Sequence, residues 1–152
     1  MSNRSAVEAA IASRLATILT TNTNARTGLA FNTNIGQNVS YGRLQSPNPQ
    51  QCPGVNFSAV SEDAAPEYGR NARAIHYTIE AFQLDREDEM ITLAQKMLED
   101  VESVLLYESG TLLQTLGGLC YEVKFNSKDP YKLESEIPLS GMVAEFTVKL
   151  DP

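Results

Sequence analysis

His76 is the single histidine of the chain and stands between Ile75 and Tyr77, so an imidazole base or proton shuttle would have to be built there. No Gly-x-Ser-x-Gly elbow supplies it with a nucleophile, and its place in an alternating run is that of a satisfied or surface histidine. Cys52 and Cys120 lie far apart, outside any Cys-x-x-Cys pair, and nothing local activates either sulfur; both read as free thiols. Zinc-ligand spacing, a Walker loop and a dinucleotide fingerprint are all missing, and Gly36, Gly42, Gly54 and Gly69 punctuate loops. The densest ionisable cluster, Asp85-Arg-Glu-Asp-Glu89, could attract a divalent cation, but carboxylates there also serve a helix start by opposing its dipole. An acid–base carboxylate pair stays open, since any two acids can meet in space. The chain therefore reads as a non-enzyme with no cofactor and no metal.

The elements that would position these groups centre on residues 72–106. In Arg73–Leu84, Ile75, Tyr77, Ile79 and Ala81 share one face while His76, Thr78, Glu80, Phe82 and Leu84 share the other, the period of a strand. At Asp85 the period changes. Met90, Leu93, Ala94, Met97, Leu98, Val101, Val104 and Leu105 recur at three- and four-residue steps and form one helical stripe.

Ahead of this unit, Ser5-Ala-Val-Glu8 has the form of a capping box, and Val7, Ile11, Leu15, Ile18 and Leu19 predict a helix from about Ala6 to Leu19. The polar segment from about 21 to 54 is poor in core residues, allows short strands or a hairpin at Thr27–Phe31 and Val39–Leu44, and excludes helix at Pro47, Pro49 and Pro53. Burial there cannot offset the entropy of fixing it, so it is expected to be flexible until a partner orders it. Val55–Val60 alternates as a strand, and Glu62–Asn71 reads as a loop. Beyond the long helix, Leu119–Phe125 and Met142–Leu150 alternate, with Asn126–Lys132 expected to be a turn or exposed arm because of Pro130. The order implies one α+β domain over residues 1–152, a two-layer sandwich with a mixed or antiparallel sheet covered by two helices.

The net charge of −7 is unevenly spread. Residues 1–54 carry Arg4, Arg14, Arg26 and Arg43 against Glu8, a net +3; residues 85–108 carry eight acids against Arg86 and Lys96, a net −6. An acidic helix face is ordinarily a solvated one, yet the asymmetry also permits a basic half to meet an acidic neighbour. No lysine or arginine stripe exists for phosphate, so a dedicated nucleic-acid binder is disfavoured. No window is apolar enough to span a membrane, and the N-terminus lacks the apolar core of a signal peptide, so a soluble product of the cytosol is expected. The acceptor triplets at Asn38 and Asn56 are then chance matches.

The N-terminal helix, the Tyr41-Gly-Arg-Leu44 segment with its Pro/Gln/Asn loop, and Pro53-Gly-Val-Asn-Phe57 form a recognisable first part. The strand into Asp85-Arg-Glu-Asp-Glu89, the helix ending Leu98-Glu-Asp-Val-Glu-Ser-Val-Leu-Leu106, and the final strand complete it. Together they resemble the tail-terminator (tail-completion) proteins of tailed bacteriophages. The resemblance implies an α+β subunit of a hexameric ring that caps the tail tube, ends its growth and presents a head-side joining surface. Its partners would be copies of itself, the tail tube protein and a neck or connector protein, with DNA passing through the lumen without specific binding and no membrane involved. Its place would be the tail or neck of the virion, assembled in the host cytoplasm. A neck or head-completion protein is the alternative, and a small-molecule-binding or hydrolytic α+β domain a more distant one. The family offers no motif of functional residues, so the candidate interface comes from this chain's own charges and aromatics: Arg26, Tyr41, Arg43 and Arg70 against Asp85, Glu87 and Asp88.

Overall fold

The structure, a computed structural model, describes residues 4–42, 49–68, 72–84, 90–107, 116–133 and 139–150. Two helices, α1 (Arg4–Leu15) and α2 (Met90–Leu106), lie against one face of a five-stranded sheet. Its strands are β1 (Val39–Tyr41), β2 (Gly54–Ala64), β3 (Arg73–Leu84), β4 (Glu122–Leu133) and β5 (Leu139–Leu150). They lie in the order β1-β2-β3-β5-β4, antiparallel throughout except that β1 runs parallel to β2. This is the two-layer α+β arrangement with a mixed sheet that the strand and helix periods imply.

The core follows the alternation. Ile75, Tyr77, Ile79 and Ala81 of β3 face the helices, beside Met142, Ala144, Phe146, Val148 and Leu150 of β5, all essentially without solvent contact. Ala94, Met97, Val101 and Leu105 of α2 press onto them, while the side chains of Met90 and Leu93 lie outside the described set. Beneath the helices a row of rings crosses the whole sheet. Tyr41, Phe57, Tyr77, Phe146 and Phe125 follow one another at centroid distances of 5.1, 6.3, 5.2 and 5.6 Å. Such spacing is that of favourable aromatic pairs, so one apolar band ties all five strands together.

Several boundaries differ from the pattern reading, each for a local reason. Helix α1 stops at Leu15, not Leu19, because the hydroxyl and amide of Thr17 both donate to the Arg14 carbonyl, at 2.6 and 3.1 Å, and tighten the last turn. Ser5 lies inside the helix, and the Glu8 carboxylate is taken by Arg4 Nε, Tyr41 Oη and Tyr77 Oη, so no capping box forms. Strand β2 continues to Ala64, where a loop is expected, because after a bulge between Ala59 and Ser61 it pairs again with Arg73–His76. Strand β4 passes through Pro130 to Leu133; it is an edge strand, where a missing N–H can face away from the ladder. It starts at Glu122, not Leu119, because Leu116–Leu119 form a turn with positive φ at Leu116, Gly117 and Gly118. Pro49 opens a three-residue 3-10 turn, and the Thr27–Phe31 region contributes a single bridge, Thr23 with Ala30.

The polar segment also holds more core than its composition implies. Asn24, Phe31, Thr33 and Ile35 are each 6% exposed or less. Asn24 organises the turn that follows by accepting the Arg26 amide at 2.9 Å, and Asp100 of α2 fastens Asn32 and Thr33. Asp100, read as part of a solvated acidic face, is fully buried. Its two oxygens accept the Asn32 and Thr33 amides, the Asn32 side-chain amide and the Thr33 hydroxyl, at 2.7–3.1 Å. Residues 43–48 lie outside the described set.

Candidate assembly surface

On the face away from the helices, one polar chain crosses four strands. Asp63 Oδ2 on β2 is 2.8 Å from His76 Nε2 on β3, and His76 Nδ1 is 2.9 Å from Thr147 Oγ1 on β5. Asn126 Nδ2 on β4 donates to the same hydroxyl at 2.7 Å. One assignment satisfies every atom: Nε2–H donates to Asp63, the Thr147 hydroxyl donates to Nδ1, and Thr147 Oγ1 accepts from Asn126. The order of contacts is that of an acid–base–nucleophile triad. Yet Thr147 is only 5% exposed and sits mid-strand, where its neighbours' amides belong to the ladder and leave no donor pair for an oxyanion. The arrangement fits a clamp that holds strands in register.

The same face is mostly polar and partly solvent-exposed, with Ala74, Phe82 and Thr147 buried in it, and the two sheet edges are unlike each other. On one side β1 pairs only with Val55–Phe57, so the rest of β2, Ser58–Ala64, has no strand beyond it among the described residues. That stretch is exposed from Val60 onward, with Val60 at 67% and two acids, Glu62 and Asp63. On the other side β4 presents twelve residues whose ladder, among the described residues, runs to β5 alone, with exposed Lys124 and Lys128. Each edge carries one bulge, between Ala59 and Ser61 and between Phe125 and Ser127, on neighbouring rows of the sheet. Open edges are the places where a sheet can add a strand from another chain.

Of the residues expected at an interface, Arg26 and Tyr41 lie among the described ones, and both are engaged inside their own chain. Arg26 lies 3.9 Å from Glu102 and stacks 4.7 Å above the Tyr107 ring, both at the C-terminal end of α2. Glu102 also holds Lys128 of β4 at 2.6 Å. The attraction between a basic N-terminal half and an acidic helix is thus partly spent within the molecule. Reversing Arg26 to Glu should therefore cost stability as well as charge, about 1–2 kcal/mol from a lost cation–π contact and a new repulsion with Glu102. Urea unfolding of Arg26→Glu reads this; an unchanged midpoint would show that the contact contributes nothing.

Tyr41 accepts from Arg4 Nη2 at 2.9 Å and donates to Glu8 at 3.1 Å, while its ring packs edge-on against Phe57. The Tyr77 hydroxyl donates to the same Glu8 oxygen at 3.3 Å, and burial pushes its pKa well up, keeping it neutral. These contacts fasten the start of α1 to the β1 edge. Arg43, Arg70, Asp85, Glu87 and Asp88 lie outside the described residues.

An open cleft of about 400 Å³ lies between the ends of α1 and α2, lined by Arg14, Asn24, Phe31, Ser103 and Tyr107 among others. Its described lining contains no carboxylate, histidine or cysteine. Among the described residues no three His, Cys, Asp or Glu side chains come together as a metal cage, and no helix is long and apolar enough to cross a membrane. Neither Cys52 nor Cys120 is in a disulfide.

The strand-edge residues Asp63 and Lys124 are functional candidates that the sequence reading passes over. The alternation at 119–125 sets Lys124 on the face opposite Val123 and Phe125, but Asp63 fell in a segment read as loop. Compared with known proteins, the chain matches no family model, and no curated sequence is significantly similar to it.

Proposed function

We propose that this chain is a structural protein of a tailed bacteriophage that forms a closed ring, caps the tail tube, ends tail growth and provides the head-side joining surface. The observation that carries the reading is the pair of unlike edges, open among the described residues, on opposite sides of one sheet. A closed ring uses a heterologous contact, in which one surface of a copy meets a different surface of the next, and two unlike edges offer that. The order of helices and strands supports the same reading through its likeness to tail-terminator proteins, which is also the source of the copy number of six. In this role the ring meets the tail tube protein on one side and a neck or connector protein on the other, and DNA passes through the lumen without specific binding.

The alternative, a neighbouring neck protein, makes a different prediction. Loss of a terminator should leave headless tubes of uncontrolled length. Loss of a neck protein should leave tubes of normal length that lack heads. Electron microscopy of particles produced without this chain separates the two.

A further inference from the structure

The two edges have a definite sense and level relative to each other. In a ring whose symmetry axis runs along the strands, rotation preserves strand direction. Since β2 is antiparallel to β3, β3 to β5 and β5 to β4, strands β2 and β4 run in opposite senses. The β4 edge of one copy therefore meets the β2 edge of the next as an antiparallel pair. The uncovered part of β2 is also level with the start of β4. Rows of the sheet read Asp63, Ala74, Lys149, Glu122 and then Glu62, Ile75, Val148, Val123.

Register follows from side-chain alternation and charge. Side chains alternate between faces, so only even shifts keep the helix side of one copy continuous with that of the next. With no shift, Asp63 would stand opposite Glu122, an acid against an acid even with Lys149 3.5 Å from Glu122. A shift of two along β4 sets Asp63 opposite Lys124, both on the face away from the helices, with Ala64 opposite Val123 and Glu62 opposite Phe125. A shift of two the other way sets Asp63 opposite Cys120, ahead of the start of β4 at Glu122. Asp63 has room for the partner: its side chain is 67% exposed, and His76 contacts one of its two oxygens.

We infer that neighbouring copies join by antiparallel pairing of Glu62–Ala64 with Val123–Phe125 of the next copy, in the register that sets Asp63 opposite Lys124. This rests on the ring reading above. The contact is limited to three residue pairs, the extent of β1 on β2, because beyond the bulges the edges must diverge: Pro130–Leu133 would otherwise fall beside Gly54–Phe57, where β1 already lies. The backbone ladder supplies the contact, and the charges choose register and direction more than they add affinity.

The test uses the full chain with Asp63→Cys and Lys124→Cys together, assembled on purified tail tubes and then mildly oxidised. Within one copy these positions are separated by β3 and β5, about 14 Å, too far for a disulfide. Between copies in the inferred register they face each other. The expected result is a covalent ladder up to the full ring on a non-reducing gel, with each single variant stopping at dimers or below. A second pair guards against misfolding: Asp63→Lys and Lys124→Asp should each weaken assembly several-fold, and the double reversal should restore it. Rings that form without a ladder and ignore the charge reversals would overturn the strand pairing while leaving the ring intact. A wild-type chain that forms no ring in solution or on tubes would overturn both.

Discussion

Val101→Asp should abolish the fold. Val101 is fully buried on the α2 stripe, within the apolar cluster between that helix and the sheet. An unpaired carboxylate there costs several kcal/mol, against a total of about 5–15 kcal/mol for a domain of this size. A neighbour on the same helix provides the control. Glu99 is exposed, and Glu99→Gln should change stability by no more than about 0.5 kcal/mol. Circular dichroism on heating reads both: no cooperative transition for Val101→Asp, and a wild-type transition for Glu99→Gln. A normal melt for Val101→Asp would mean that the helix presents a different face to the sheet.

The next largest effect belongs to Asp100. Replacing it with Ala strands the buried Thr33 amide and hydroxyl, each costing about 1–3 kcal/mol when unmet, and the part-buried Asn32 amide, which water can partly satisfy. Removing a buried charge offsets part of that loss. The net expectation is a destabilisation of about 2–4 kcal/mol, a melting shift of roughly 5–12 °C for a chain of this length. Faster amide exchange should appear at Asn32 and Thr33, because the loop loses its anchor on α2.

Asp100 also gives a pH signature. Burial pushes its carboxyl above the ordinary value of 3.8, more than the donors from Thr33 and Asn32 pull it back. The folded state therefore holds this proton more tightly than the unfolded chain does. Its contribution to stability is fully present below 3.8 and is lost as pH rises through the folded value. The difference in unfolding free energy between wild type and Asp100→Asn should shift with pH in that acid window, wild type losing ground as pH rises. A difference independent of pH would show that the carboxyl titrates alike in both states.

How far the sequence could be read depended on the range of the interactions involved. Strand β3 and helix α2 were legible because their periods are local: two for Ile75, Tyr77, Ile79 and Ala81, and three to four for Ala94, Met97, Val101 and Leu105. The extension of β2 past the bulge at Val60 and the passage of β4 through Pro130 were not, because each is decided by a partner distant in sequence, and the end of α1 was set by a local bond, Thr17 to the Arg14 carbonyl, that the apolar period does not show. Asp100 looked like one more acid on a charged helix, since its donors, Asn32 and Thr33, lie more than sixty residues away. Arg26 was legible as a basic residue but not as one already engaged by Glu102 and Tyr107. The edge pair of Asp63 and Lys124 depends on strand order, which periodicity does not encode.

The proposed function turns on one quantity, the length of tail tubes made in the absence of this chain. Particles from a genome lacking its gene, negatively stained and measured by electron microscopy, give that length as a distribution. A terminator predicts a broad distribution extending well beyond the wild-type length, with tubes unattached to heads, and a return to one length when the wild-type chain is supplied. Tails of a single normal length, properly joined to heads, would contradict it.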